Sequence, residues 1–244
     1  MWQLRKLGHL TGYRLQARDG EIGKLKQIYF DDQHWVVRYF VVHTGNWLLG
    51  RDVLIVPSVV TAVNEEKKRL DVDLTCEQIR NSPPKDATLP ISRHYEQEYY
   101  HYYGWEPYWI GDPMLGSAPV IPPSAEAVEP KEPKNPHLRS SDEVVNYHIH
   151  ALDSEIGHVE DFIVEDPAWV IRYLEIDTRN WLPGKNVLVS PAWIQQVDWH
   201  KHEVTVKLTA ESIQKAPAYD SSKVISREYQ VRLFKHYGMQ FEEG

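Results

Sequence analysis

Apolar residues recur along this chain in two rhythms. The stretches Leu70-x-Val72-x-Leu74 and Val204-x-Val206-x-Leu208 alternate with period two, the mark of a strand with one buried face. Residues 25–30, 36–42 and 53–56 are rich in β-branched and aromatic side chains and are separated by turn formers such as Asp19-Gly20, Asp31-Asp32 and Thr44-Gly45-Asn46, so they too read as strands. The rhythm then changes. Thr75 and Thr209 stand where a helix N-cap is needed, and each opens a short helical turn that ends by Pro83 or Pro217. A second helix starts at Ser92 or Ser226, with Ile91, Tyr95, Tyr99 and Tyr102, or Ile225, Tyr229, Leu233 and Tyr237, spaced to form one face. Gly104 and Gly238 follow, where a helix end favours a left-handed residue.

The pattern occurs twice. An offset of 134 carries Asp19, Glu21, Ile22 and Gly23 onto Asp153, Glu155, Ile156 and Gly157. It carries Trp35-Val36-x-Arg38-Tyr39 onto Trp169-Val170-x-Arg172-Tyr173, and Ile91-Ser92-Arg93-x-Tyr95 onto Ile225-Ser226-Arg227-x-Tyr229. About a third of the positions are identical without a gap, which identifies a duplication. Between the copies, residues 106–143 hold eight of the chain's 16 prolines, including Pro119, Pro122, Pro123, Pro130, Pro133 and Pro136; such a segment is extended and builds no core. The expected organisation is a first unit at 1–105, a proline-rich linker at 106–143 and a second unit at 144–244. With no long crossover inside a unit, its strands should pair mostly antiparallel and lose their edges by curling into a barrel. The expected fold class is therefore mainly β with some α: two small antiparallel barrels, each followed by short helices.

The segment Asp177-Thr178-Arg179-Asn180-Trp181-Leu182-Pro183-Gly184-Lys185-Asn186-Val187-Leu188-Val189-Ser190-Pro191 resembles the hallmark of the PRC-barrel family, the β-barrel of the photosynthetic reaction centre H subunit's cytoplasmic domain. The ribosome maturation factor RimM carries a similar barrel. The first copy matches with Leu49 in place of Pro183 and Val56 in place of Ser190. The resemblance covers both repeats and implies an adaptor or assembly role, with peripheral contact to a membrane complex or a part in ribosome assembly as its two precedents. It leaves function open, because a fold hosts many functions.

Charge narrows the partners. Twenty-seven Lys and Arg against 35 Asp and Glu give a net charge of -8, which repels a phosphate backbone and argues against direct nucleic-acid binding. The one dense basic run, Lys67-Lys68-Arg69, follows Glu65-Glu66 and reads as a solvated turn. No apolar run approaches the ~20 residues of a membrane span, and the polar N-terminus lacks a signal-peptide pattern. A single cysteine, Cys76, excludes an intrachain disulfide and fits a reducing compartment. The expected location is the cytoplasm.

Candidate chemistry is sparse. The element at Trp47 and Gly50, repeated at Trp181 and Gly184 and followed by Pro57 and Pro191, is either a binding loop or a structural motif in which the indole plugs a barrel end; recurrence in both copies favours shared packing. The pairs His148-x-His150 and His200-x-His202 place two imidazoles on one strand face, but the first copy has Arg14 and Gln16, and Glu66 and Lys68, at those places, and no fourth ligand is evident. Cys76 aligns with Ala210 and reads as a space-filler whose place at a helix start should lower its pKa. Asp19/Asp153 and Glu21/Glu155 flank a turn. No nucleophile elbow, phosphate loop or dinucleotide fingerprint occurs, so no catalytic residue, metal site or cofactor is assigned. A small-molecule or metal sensor and an enzyme with a cleft between the barrels are the other classes left open.

The most unusual composition is Tyr95, Tyr99, Tyr100, Tyr102, Tyr103, Trp105, Tyr108 and Trp109. One helix face cannot hide so many rings, so Tyr99, Tyr100, Tyr103, Trp105, Tyr108 and Trp109 are the expected interaction residues. The partner would be the other barrel, a second copy in a homodimer, or another protein.

Overall fold

Strands form where β-branched runs alternate, and helices begin at the capping hydroxyls. The computed structural model describes residues 3–85, 91–110, 137–178 and 186–241. Its first repeat comprises Gln3–Lys6 (β1), Arg14–Gln16 (β2), Glu21–Asp31 (β3), Val36–His43 (β4), Asp52–Ile55 (β5), Val60–Asn64 (β6) and Arg69–Val72 (β7), then helices Cys76–Arg80 (α1) and Arg93–Tyr103 (α2). The second comprises Leu138–Ser140 (β8), Ser141–Val144 (α3), His148–His150 (β9), Glu155–Asp166 (β10), Val170–Asp177 (β11), Asn186–Val189 (β12), Ile194–Asp198 (β13), Glu203–Val206 (β14), Ala210–Gln214 (α4) and Arg227–His236 (α5). The Thr75, Ser92, Thr209 and Ser226 side chains each accept a backbone N–H three residues on, satisfying a donor that the first helical turn leaves free.

The strands join in one large mixed sheet rather than two closed antiparallel barrels. Its order is β13-β14-β9-β10-β11-β4-β3-β2-β7-β6, with β12 on β11 and β5 on β4. Two pairings, β2 with β7 and β9 with β14, are parallel, and among the described residues no pairing between β5 and β6 closes the first repeat. Edges are covered by the other repeat instead. β1 pairs with β10 of the second repeat, Leu4 opposite Glu165, and β8 pairs with β3 of the first, Leu138 opposite Asp31. These registers are related by the same offset of 134, so the two copies exchange their first strands. Long strands β3 and β10 extend beyond their neighbours β2 and β9, and the exchanged strands satisfy the overhanging backbone groups.

At the seam Val36 faces Val170. Val37 N–H donates to Trp169 O at 2.9 Å and Ile171 N–H to Trp35 O at 2.7 Å. One apolar core spans both repeats, with Phe30 5.4 Å from Phe162 and Phe40 4.9 Å from Trp169 between ring centres. The exchanged strands also bring charge inside: Lys6 Nζ lies 2.6 Å from Glu175 Oε2, whose side chain is fully buried, and Asn186 Nδ2 donates to Glu175 Oε1 at 2.8 Å. Arg5 pairs with Asp166 at 2.5 Å, and Arg139 pairs with Asp32 at 2.9 Å in the matching position. A Cβ at Gly157, whose φ is +143, would stand 1.9 Å from Asp177 O, and one at Gly23 2.1 Å from His43 O; only glycine permits these strands so close. No helix among the described residues is long and apolar enough to cross a membrane.

Two substitutions test this seam. Lys6→Met should destabilise by about 3–5 kcal/mol in urea unfolding, because it strands a buried carboxylate, and adding Glu175→Gln should recover much of the loss. Gly157→Ala should cost about 1–3 kcal/mol or more; an unchanged unfolding midpoint would contradict the close strand approach.

Candidate interaction surface

The aromatic segment packs first on its own repeat. Helix α2 buries Tyr99 behind Ile91, with Tyr95 partly buried beside them as the spacing predicts, but the inward stripe also takes in Glu96 and Tyr100 and leaves Tyr102 38% exposed. A carboxylate lies in it. Tyr39, Val41, Leu54, Val56, Ile91, Tyr99, Tyr100 and Leu138 form a second apolar cluster, against which Tyr103, Trp105, Tyr108 and Trp109 pack partly buried. Most of this cluster comes from the first repeat, where α2 covers the apolar face of β4 and β5, and Leu138 of the second repeat joins it. The larger part of the inter-repeat packing is made by the seam.

Gly104 ends α2 in the left-handed conformation at φ +67, and Trp105 N–H donates back to Tyr100 O at 3.0 Å. That reversal lays Trp105 on Tyr103, their rings 4.3 Å apart and inclined by 9°. Glu96 then organises the next layer. Tyr39 and Tyr108 hydroxyls donate to its Oε1 at 2.9 and 3.0 Å, and Arg93 Nη1 lies 3.3 Å from Oε2. Arg38 stacks 4.0 Å over Tyr108 and Arg93 4.1 Å over Trp109, contacts in which a cation meets the negative ring face. In the second repeat Gln230 replaces Glu96 and accepts from Tyr173 at 3.0 Å, while Leu233 and Phe234 replace Tyr99 and Tyr100. The buried carboxylate of the first repeat is thus a neutral amide in the second.

A shallow groove of about 290 Å³ opens beside it. Arg38, Ser58, Tyr100, Trp105 and Tyr108 line it together with the Pro167-Ala168-Trp169 turn of the second repeat. Ser58 and Ala168, both exposed, are among the residues that line it. Sequence reasoning named the rings but missed Arg38, Arg93 and Glu96. A glutamate three residues after an arginine, inside the apolar stripe, is the signal that would have found them.

The other sequence-predicted residues scatter. Trp47 lies in a 3-10 turn, half-buried against the core, with Arg80 5.6 Å above its ring. Gly50 follows at φ +72, and Trp181 and Gly184 lie outside the described residues. Pro57 and Pro191 each open a 3-10 turn after β5 and β12. Asp19 and Asp153 do more than stabilise a local turn: each accepts the first helical N–H, of Cys76 at 2.7 Å and Ala210 at 2.8 Å. The Cys76 pKa is raised rather than lowered, by burial first and then by Asp19. The His-x-His pairs do not converge, since His148 bonds Glu155, His150 lies 3.9 Å from Glu203 and His202 stacks on Tyr147. Among the described residues, three ligand-type groups meet at His158, Glu160 and Asp177.

Burial raises Tyr100 and Tyr103 from the ordinary value of 10 to about 12. The protonated rings therefore favour the fold fully below pH 10, and that contribution is lost as pH rises through about 12. Ultraviolet titration should show these tyrosines ionising late and together with unfolding; full, reversible ionisation near pH 10 would contradict the packing. Glu96→Leu should cost about 1–3 kcal/mol by leaving buried hydroxyls without an acceptor.

Comparison with protein-family models matches the PRC-barrel domain at residues 10–79 and at residues 143–213. No curated protein matches the chain.

Proposed function

The chain belongs to the PRC-barrel domain family, and from that premise we propose that it is a non-catalytic cytoplasmic adaptor that binds a protein partner through the groove beside α2. The observation that carries this reading is the aromatic and arginine wall beside the Pro167-Ala168-Trp169 turn. Tyr and Trp rings give large contact area at small entropic cost, and Arg38 is already held over Tyr108, so the surface is set before a partner arrives. An extended segment with proline or other apolar side chains suits such walls, as aromatic grooves suit polyproline conformations. Catalysis has no comparable support, because the buried ionisable groups of this region, Glu96 and its tyrosines, are satisfied by one another. The resemblance to barrels that cap or assemble larger complexes points the same way.

Ser58 and Ala168 line the groove and are exposed, so they can be altered without disturbing the packed rings. A photo-crosslinking residue at Ser58 should capture one recurrent partner polypeptide from native lysate, and Ala168→Arg should abolish that capture without lowering the melting temperature. Capture insensitive to Ala168→Arg, or crosslinks confined to other copies of this chain, would sink the adaptor reading.

A further inference from the structure

We propose that His158, Glu160 and Asp177 form a binding site for a zinc-type divalent transition ion, with water completing the coordination. His158 and Glu160 come from β10 and Asp177 from β11, where it is the direct cross-strand partner of His158. His158 Nε2 lies 3.7 Å from Asp177 Oδ2 and 3.8 Å from Glu160 Oε2, and the three ligand atoms all fall within 4.8 Å of one another. Ligands about 2.0–2.2 Å from a tetrahedral zinc stand about 3.3–3.5 Å apart, so small side-chain movements complete the geometry. An imidazole with two carboxylates suits zinc and its first-row neighbours better than magnesium, which prefers oxygen ligands and retains its water.

Local structure explains the convergence. The β10–β11 register slips between Val159 and Asp161, making Glu160 the bulge residue, and a bulge re-aims the side chain it carries. Asp177 is 2% exposed and anchors the group, while His158 and Glu160 are 28% and 42% exposed and leave one side open to an ion and its water.

The first repeat places a cation at the same corner. Its matching bulge residue is Lys26, which lies in the slip between Leu25 and Gln27. The Lys26 ammonium sits 2.8 Å from Asp52, with His43 2.9 Å from the same carboxylate. The first repeat thus carries its own cation at this corner. In the second repeat Lys24, Lys26 and His43 become His158, Glu160 and Asp177. Asp52 becomes Asn186, which turns to Glu175. The lysine is gone and carboxylates have been gained. The second repeat thus exchanges a lysine for an imidazole flanked by two carboxylates at the same bulge.

The test uses the tag-free, metal-stripped full chain titrated with zinc chloride by calorimetry. Wild type should bind one zinc ion at this site with micromolar affinity. Glu160→Lys, which restores the residue of the first repeat, should weaken that binding by about tenfold or more while leaving circular dichroism unchanged. Because this variant copies a side chain that the same fold already holds at the same bulge, loss of binding is separable from loss of structure. His158→Gln gives a second reading and should weaken binding to a similar extent. Wild-type binding only at millimolar zinc, or less than a tenfold loss in both variants, would overturn the proposal and place any bound ion on the other histidines.

Discussion

Backbone hydrogen bonding across the seam between the repeats is the constraint on which the rest of the structure depends. A long strand with a short neighbour leaves N–H and C=O groups exposed along its overhang, and such groups must find partners or water. Here β3 and β10 have that overhang, and each receives the first strand of the opposite copy. The exchange carries Lys6 to Glu175 and Arg139 to Asp32, merges the two apolar interiors into one core, and sets the Pro167-Ala168-Trp169 turn beside the aromatic rack. Without it the repeats would be two open sheets with unpaired edges.

Within this shared frame the copies differ chiefly in where they place charge. The first repeat buries Glu96 among tyrosine hydroxyls where the second has a neutral glutamine. A buried carboxylate tolerates such a site only if donors surround it, and the two tyrosines and Arg93 do so. The second repeat shows the converse at the bulge, where the lysine of the first copy gives way to glutamate. Duplication preserves backbone geometry because each strand's alternation is needed for the core. Charges at bulges and helix faces are less constrained by that core, so they are free to diverge toward separate tasks.

The sequence by itself determined the duplication, the family, and the main strands and helices of each copy apart from β1, β8 and α3, because these follow from local periodicity and local chemistry. Gly104 and Gly238 both adopt left-handed backbone at φ +67, the conformation that a helix end favours and glycine permits. Capping hydroxyls marked every main helix start for the same kind of reason. Only the tertiary structure decided that the barrels stay open, that β1 and β8 trade places, and that Glu96 belongs to an apolar face. Three short residues such as Leu138–Ser140 carry no signal of which overhang they will cover, since pairing is chosen by backbone groups that every residue shares. A charged residue in a helix stripe reads as solvent-facing until the hydroxyls and the guanidinium that satisfy it, contributed by Tyr39, Arg93 and Tyr108, are brought beside it by the fold.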